Sequence, residues 1–229
     1  MYRKIVLDNR LRIVAELLPT LKSVTIGIWV NVGSRDEQPG EEGLSHFLEH
    51  MFFKGTRSRT ATQISREIDA LGGEMNAFTT RETTTFYVKV LDQQLEAALE
   101  LLSDLFYRSR FESKEVEKEK QVVLEEIRMV QDDPEDLVQE LHMKHTLGSH
   151  PLGRPILGQA PRIQALGRND LVSYVGSHYD PGRTVVAVAG NVPLPRTTLN
   201  VRRIMELSGR TDVPMYAGCP RPMMRPLVT

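Results

Sequence analysis

Apolar and polar residues alternate along the first third of the chain, and helical spacing takes over afterwards. Residues 4–7 and 11–16 read as two strands around Asp8-Asn9-Arg10, a hairpin-type turn in which the side chain of Arg10 resists positive φ. Residues 24–32, VTIGIWVNV, form a long β-branched run that ends at Gly33-Ser34. Residues 74–80 and 83–91 pair around Arg81-Glu82, and a late strand, 184–189, closes on Gly190-Asn191. Helical periodicity covers residues 42–53, 92–107, 113–130, 135–147 and 169–178, with Pro134 as an interruption. A further helix starts at Thr60, where Thr60 and Gln63 make a capping box, and stops at Gly72-Gly73. Strands gathered early and helices later predict an α+β fold, a largely antiparallel β-sheet layered with α-helices, and not a doubly wound parallel sheet.

The pattern fades after about residue 205 into a segment containing Pro214, Pro220, Pro222 and Pro226. We therefore expect one domain over residues 1–210 and, over 211–229, the Pro-rich start of a linker to a second half. Composition narrows the function classes. With 29 basic and 30 acidic residues the formal net charge is −1, so no strong field exists to attract nucleic acid or an anionic membrane. The N-terminal segment is broken by Asp8, Asn9, Arg10 and Arg12, which fits neither a signal nor a transit peptide. No apolar run is long enough to span a bilayer. The single cysteine, Cys219, excludes an internal disulfide and suits a reducing, cytoplasmic setting.

Candidate chemistry concentrates in LSHFLEHMFF, residues 44–53. At 100° per residue Leu44, Phe47, Leu48 and Met51 share one helix face and His46, Glu49 and His50 the other. Histidines at i and i+4 can point at one ion. Glu49 lies beside them without having to bind it, where a carboxylate can accept a proton from water that a metal has made acidic. A chance H-x-x-E-H should occur in about one chain in a hundred of this composition. Two histidines are an incomplete set, since catalytic zinc takes three protein ligands. In residues 115–130, EVEKEKQVVLEEIRMV, the apolar positions Val122, Val123, Ile127 and Val130 define an inward stripe that also carries Glu119 and Glu126. Carboxylates there are costly unless paired or metal-bound, whereas Glu115, Glu117 and Glu125 fall toward the outer faces. Glu126 is the expected third ligand and Glu119 the residue that orients a ligand histidine, although spacing alone also permits the reverse. His142, His145 and His150 have no acidic or thiol partner nearby in sequence and read as surface or capping residues, and His178 as a helix-end residue.

His46, Glu49 and His50, followed by Glu119 and Glu126, resemble the inverted-zincin peptidases of the pitrilysin/insulinase family. VGSRDE (32–37), HFLEHMFFKGT (46–56), GGEMNAFTTRE (72–82), HPLGRPILG (150–158), DPEDLV and the AGN at 189–191 are similar to bacterial processing-protease members. The resemblance runs to about residue 205. It implies one Zn²⁺ per chain held by His46, His50 and Glu126, with Glu49 as general base and Glu119 as support, which fixes the order of the two glutamates. It further implies that Asn76, Ala77, Phe78 and Thr79 lie on a sheet edge to which an extended peptide substrate adds as a strand. Members have two similar halves closing around the peptide, and this sequence resembles the zinc-bearing first half. The expected function is a zinc endopeptidase of bacterial cytoplasm, whose partners are a peptide substrate and a second half or subunit. A non-catalytic structural or chaperone-like subunit of the same fold is the alternative, as is a fragment that binds zinc but is inactive without its second half.

Overall fold

The computed structural model describes residues 2–191; the expected boundary near residue 210, the Pro-rich segment and Cys219 lie outside the described residues. Within the described residues six strands form one sheet: β1 (Tyr2–Val6), β2 (Arg12–Leu17), β3 (Ser23–Val30), β4 (Glu74–Thr79), β5 (Thr84–Leu91) and β6 (Thr184–Gly190). Their spatial order is β1-β2-β6-β3-β5-β4. Four of the five pairings are antiparallel and β2 with β6 is parallel, so the largely antiparallel expectation holds. The late strand β6 lies between the two early strands β2 and β3, which a hairpin-by-hairpin reading of the N-terminal third does not anticipate.

Among the described residues seven α-helices accompany the sheet: α1 (Leu44–Phe52), α2 (Ala61–Ala70), α3 (Leu95–Arg108), α4 (Ser113–Asp132), α5 (Pro134–Leu147), α6 (Ala160–Ala165) and α7 (Arg168–His178). Thr60 caps α2 with the capping box its sequence promised. Pro134 does not interrupt a helix; it opens α5 at a first-turn position, where its missing N–H costs nothing, and Asp133 accepts from the Glu135 N–H. Arg10 takes φ 71° despite its side chain. The Leu7 N–H donates to the Leu11 carbonyl and the Arg10 N–H to the Leu7 carbonyl, which closes that turn, and the Arg10 side chain meets Asp180.

The core joins the sheet to α1, α3 and α4 through Ile26, Ile28, Phe47, Phe52, Val88, Leu102, Val116 and Val123, all buried. Burial of each such side chain contributes about 1.5–3 kcal/mol. On α4 the buried residues are Val116, Glu119, Lys120, Val123, Leu124 and Ile127. Val122, expected inside, is 44% exposed, because one step of 100° from Val123 carries it off the packed face. Among the described residues no helix is long and apolar enough to cross a membrane.

Candidate active site

Helix α1 is fixed by its apolar stripe: Leu44, Phe47, Leu48 and Met51 are each at most 2% exposed. The same helix therefore presents His46, Glu49 and His50 on its other face, half-buried and turned toward α4 and β4. The two imidazole centroids lie 4.6 Å apart and their Nε2 atoms 3.2 Å apart. Glu126 of α4 brings Oε2 to 3.6 Å from the Nε2 of both His46 and His50. Two turns earlier on α4, Glu119 accepts from His50 Nδ1 at 2.8 Å and, with its other oxygen, pairs with Lys54 Nζ at 2.6 Å.

That pairing decides the tautomer. With Nδ1–H committed to Glu119, neutral His50 presents a lone pair from Nε2 toward His46 and Glu126. Burial, reinforced by neighbouring His50, drives His46 down to about 3, so its imidazole is neutral at ordinary pH. For His50 burial pulls downward, but the bond to Glu119 and the charges of Glu126 and Glu49 outweigh it, leaving the group raised. Burial alone would raise Glu119; its bonds with His50 and Lys54 hold it below the usual carboxylate range. Burial raises Glu49, although Thr79 Oγ1 donates to its Oε2 at 2.6 Å.

The donor set fits a zinc ion. A tetrahedral site with bonds of about 2.0–2.1 Å separates its ligand atoms by about 3.3–3.4 Å. The observed triangle of 3.2, 3.6 and 3.6 Å is close to that on every edge. Glu126 Oε2 and His46 Nδ1 are buried without a hydrogen-bond partner. Buried carboxylate oxygens are normally satisfied, and a cation at the centre of the triangle would satisfy this one. Among the described residues these three are the group of His, Cys, Asp or Glu whose ligand atoms converge in this way, all within 4.8 Å.

Glu49 and His46 open onto a cleft of about 350 Å³ that is also lined by Phe78, Thr79, Glu140 and Leu157. Strand β4 pairs with β5 on one side and is the edge of the sheet on the other. Along it Asn76 and Phe78 are exposed, Ala77 is buried and Thr79 is partly buried. The structure thus brings His46, His50, Glu126, Glu119 and Glu49 together and places the Asn76-to-Thr79 edge beside them. Two contacts were missed in the sequence. Lys54 sits four residues beyond His50, just past the C-cap of α1, where helical spacing no longer predicts its direction. The Thr79–Glu49 bond spans 30 positions and has no local signal. His142 and His150 make local contacts with Thr146 and the Leu152 N–H, and His178 stacks on Tyr174.

Comparison with known proteins gives one consistent result. Residues 12–160 match the family described as Insulinase (Peptidase family M16). A protein of Bacillus subtilis named "Uncharacterized zinc protease YmxG" is 46% identical over 192 residues, covering 84% of this chain and 47% of that protein. A protease from Helicobacter pylori of known crystal structure superposes with a TM-score of 0.81 at 25% identity, over 93% of this chain and 50% of the other. A peptidase M16 inactive domain from Pseudomonas fluorescens gives a TM-score of 0.84 at 16% identity, over 90% and 50%, and so shares the fold. The chain spans about half the length of the curated relatives it matches.

Proposed function

Because the chain belongs to the insulinase family, peptidase family M16, we propose that it is the zinc-bearing half of an endopeptidase that cleaves extended peptides or unfolded polypeptide segments. The observation that carries this reading is the convergence of His46 Nε2, His50 Nε2 and Glu126 Oε2 beside the Glu49 carboxylate. His46, His50 and Glu126 would hold one zinc ion, which when bound supplies Lewis acidity to water and to the scissile carbonyl.

The chain's own residues do the rest. Glu49 takes a proton from the attacking water as its oxygen bonds to the carbonyl carbon, and delivers that proton to the amine nitrogen as the C–N bond breaks. The raised Glu49 carboxyl suits that exchange, since it holds a proton more readily than a solvated glutamate, and Thr79 keeps the acceptor oxygen in place. Glu119, anchored by Lys54, keeps the proton of His50 on Nδ1 and the lone pair of Nε2 directed at the site. The free edge of β4, from Asn76 through Ala77 and Phe78 to Thr79, offers main-chain groups on which an extended substrate adds as a strand, which selects unfolded segments over folded ones.

The half-length match to the relatives supports a second half or partner subunit that completes the cleft. The test is Glu49→Gln in the full-length protein. It should retain zinc by metal analysis and lose cleavage of an unfolded peptide by about 10²–10⁴-fold. Cleavage at the wild-type rate with zinc in place would falsify the role of Glu49.

A further inference from the structure

Two motifs of the sequence, VGSRDE and HPLGRPILG, contain no group that the proposed chemistry uses. In the fold they meet at the N-terminus of α1. Glu37, the last residue of the first motif, is 1% exposed and turns its carboxylate on that helix end. Its Oε2 accepts from the Gly43 N–H and its Oε1 from the Ser45 N–H, both at 2.9 Å. The first N–H groups of a helix have no partner inside it, and the N-cap of α1 is Gly43, which has no side chain to offer one. A residue six positions upstream supplies the missing acceptors.

The second motif presses on the same point. A Cβ on Gly43 would come within 2.8 Å of the Leu157 carbonyl oxygen, and one on Gly158 within 2.5 Å of the Glu42 carbonyl oxygen. Both glycines have positive φ, so each meets a close approach and a left-handed backbone at once. Arg154 from this motif donates to the Glu37 carbonyl oxygen. Behind the helix, Ser45 Oγ hydrogen-bonds Tyr174 Oη of α7 at 2.9 Å, and Tyr174 is 1% exposed. Ser45 is the immediate neighbour of His46.

We propose that Glu37 is a positioning residue for the metal site: by gripping the main chain at Gly43 and Ser45 it sets where α1 lies along its axis against α4. It thereby sets the 3.6 Å separations of His46 and His50 from Glu126. Ligand sets of this kind need their side chains held within about 0.5 Å; the apolar stripe of α1 fixes which face meets the core, and the two hydrogen bonds from Glu37 add a directional hold at its N-terminus. The inference rests on the reading of His46, His50 and Glu126 as metal ligands. Burial pushes the Glu37 carboxyl up to about 8 against the pull of the Ser45 and Gly43 bonds. Glutamine disrupts the grip in either protonation state, because its NH₂ would face one of the two N–H groups.

The test measures zinc affinity of the full-length protein by competition with a metal-binding dye, alongside the thermal midpoint. Glu37→Gln should bind zinc about tenfold to 100-fold more weakly. Glu37→Asp should weaken it in the same direction, because a side chain one methylene shorter cannot reach both N–H groups. Ile13→Ala, a core change in β2 on the other side of the sheet from β4, should lower the midpoint and leave zinc affinity unchanged. Wild-type zinc affinity in folded Glu37→Gln overturns the inference, as does an equal loss in Ile13→Ala. Should Glu37→Gln not fold, Glu37→Asp decides by the same criterion. Absence of zinc binding by the wild-type protein would instead overturn the ligand reading, and this inference with it.

Discussion

Two clusters of charged side chains stand within this domain, and they differ in whether their atoms are satisfied. Around Arg59 each guanidinium nitrogen has its own carboxylate: Nε meets Glu67, Nη1 meets Asp104 and Nη2 meets Glu100, at 2.6–2.8 Å. Asp104, whose side chain is fully buried, also accepts from Thr56 and Ser58. Between α1 and α4 the ionisable groups are as crowded, yet Glu126 Oε2 and His46 Nδ1 lack a hydrogen-bond partner. A complete network rigidifies what it touches, whereas an incomplete one in the same fold costs stability and persists where a ligand completes it. The first cluster ties α2, α3 and the Thr56-to-Arg59 segment together; the second, on the proposed reading, is completed by zinc.

The contrast can be broken by substitutions that exchange the expected outcomes. The largest effect belongs to Glu49→Gln, which should lose about 10²–10⁴-fold in peptide cleavage with little change in thermal midpoint. Next is Arg59→Leu, which strands the buried Asp104 carboxylate and should cost about 3–5 kcal/mol in denaturant unfolding while zinc affinity of the folded protein stays at wild type. A loss of zinc affinity there would mean that the two clusters are coupled. Glu126→Gln should do the opposite: zinc affinity falls more than about 100-fold, beyond the cost of losing an outer partner, and stability without zinc falls far less than in Arg59→Leu, because Glu126 Oε2 accepts no hydrogen bond.

The two clusters also differ in how stability depends on pH. Burial would raise Asp104, but the bonds from Thr56, Arg59 and Ser58 win and hold it below its ordinary 3.8. Its contribution to stability is present above pH 3.8 and is lost as pH falls through its lowered folded value. His46 is lowered from 6.5 to about 3, so in zinc-free protein the unfolded chain takes up this proton first. That contribution is present above pH 6.5 and declines as pH falls from 6.5 toward about 3. Unfolding curves of zinc-free wild type and His46→Ala should therefore converge across that window. The difference between them removes the opposite slope of Glu37, which is raised to about 8 and whose contribution is lost as pH rises from 4.5 through that value. Parallel curves for the two proteins would refute the buried, neutral assignment of His46.

Much of this was legible because it is local. The stripe Leu44, Phe47, Leu48 and Met51 fixes both the core face and the chemical face of α1, since one helical period serves both. The capping box at Thr60 and the strand over residues 84–91 were equally plain. The short α6 went unseen because six residues give too little periodicity to separate helix from loop. Pro134 read as a break because a proline inside a helical pattern and one at its first turn look alike until the Asp133 cap is seen. Positive φ at Arg10 was misjudged because the local steric cost is outweighed by closure of the β1–β2 turn and contact with Asp180.

By itself the sequence determined the candidate ligands and base, because His46, Glu49 and His50 follow from helix arithmetic and Glu126 with Glu119 from carboxylates in an apolar stripe. It did not separate the roles of those two glutamates by spacing. The crossing of α1 and α4 gives them different positions, Glu119 against His50 Nδ1 and Glu126 between the two Nε2 atoms. Only the tertiary structure placed Thr79 on Glu49, Lys54 on Glu119 and Glu37 on the start of α1. Hydrogen bonds are decided within a few tenths of an ångström, a precision that side-chain periodicity does not encode and that packing across distant segments supplies.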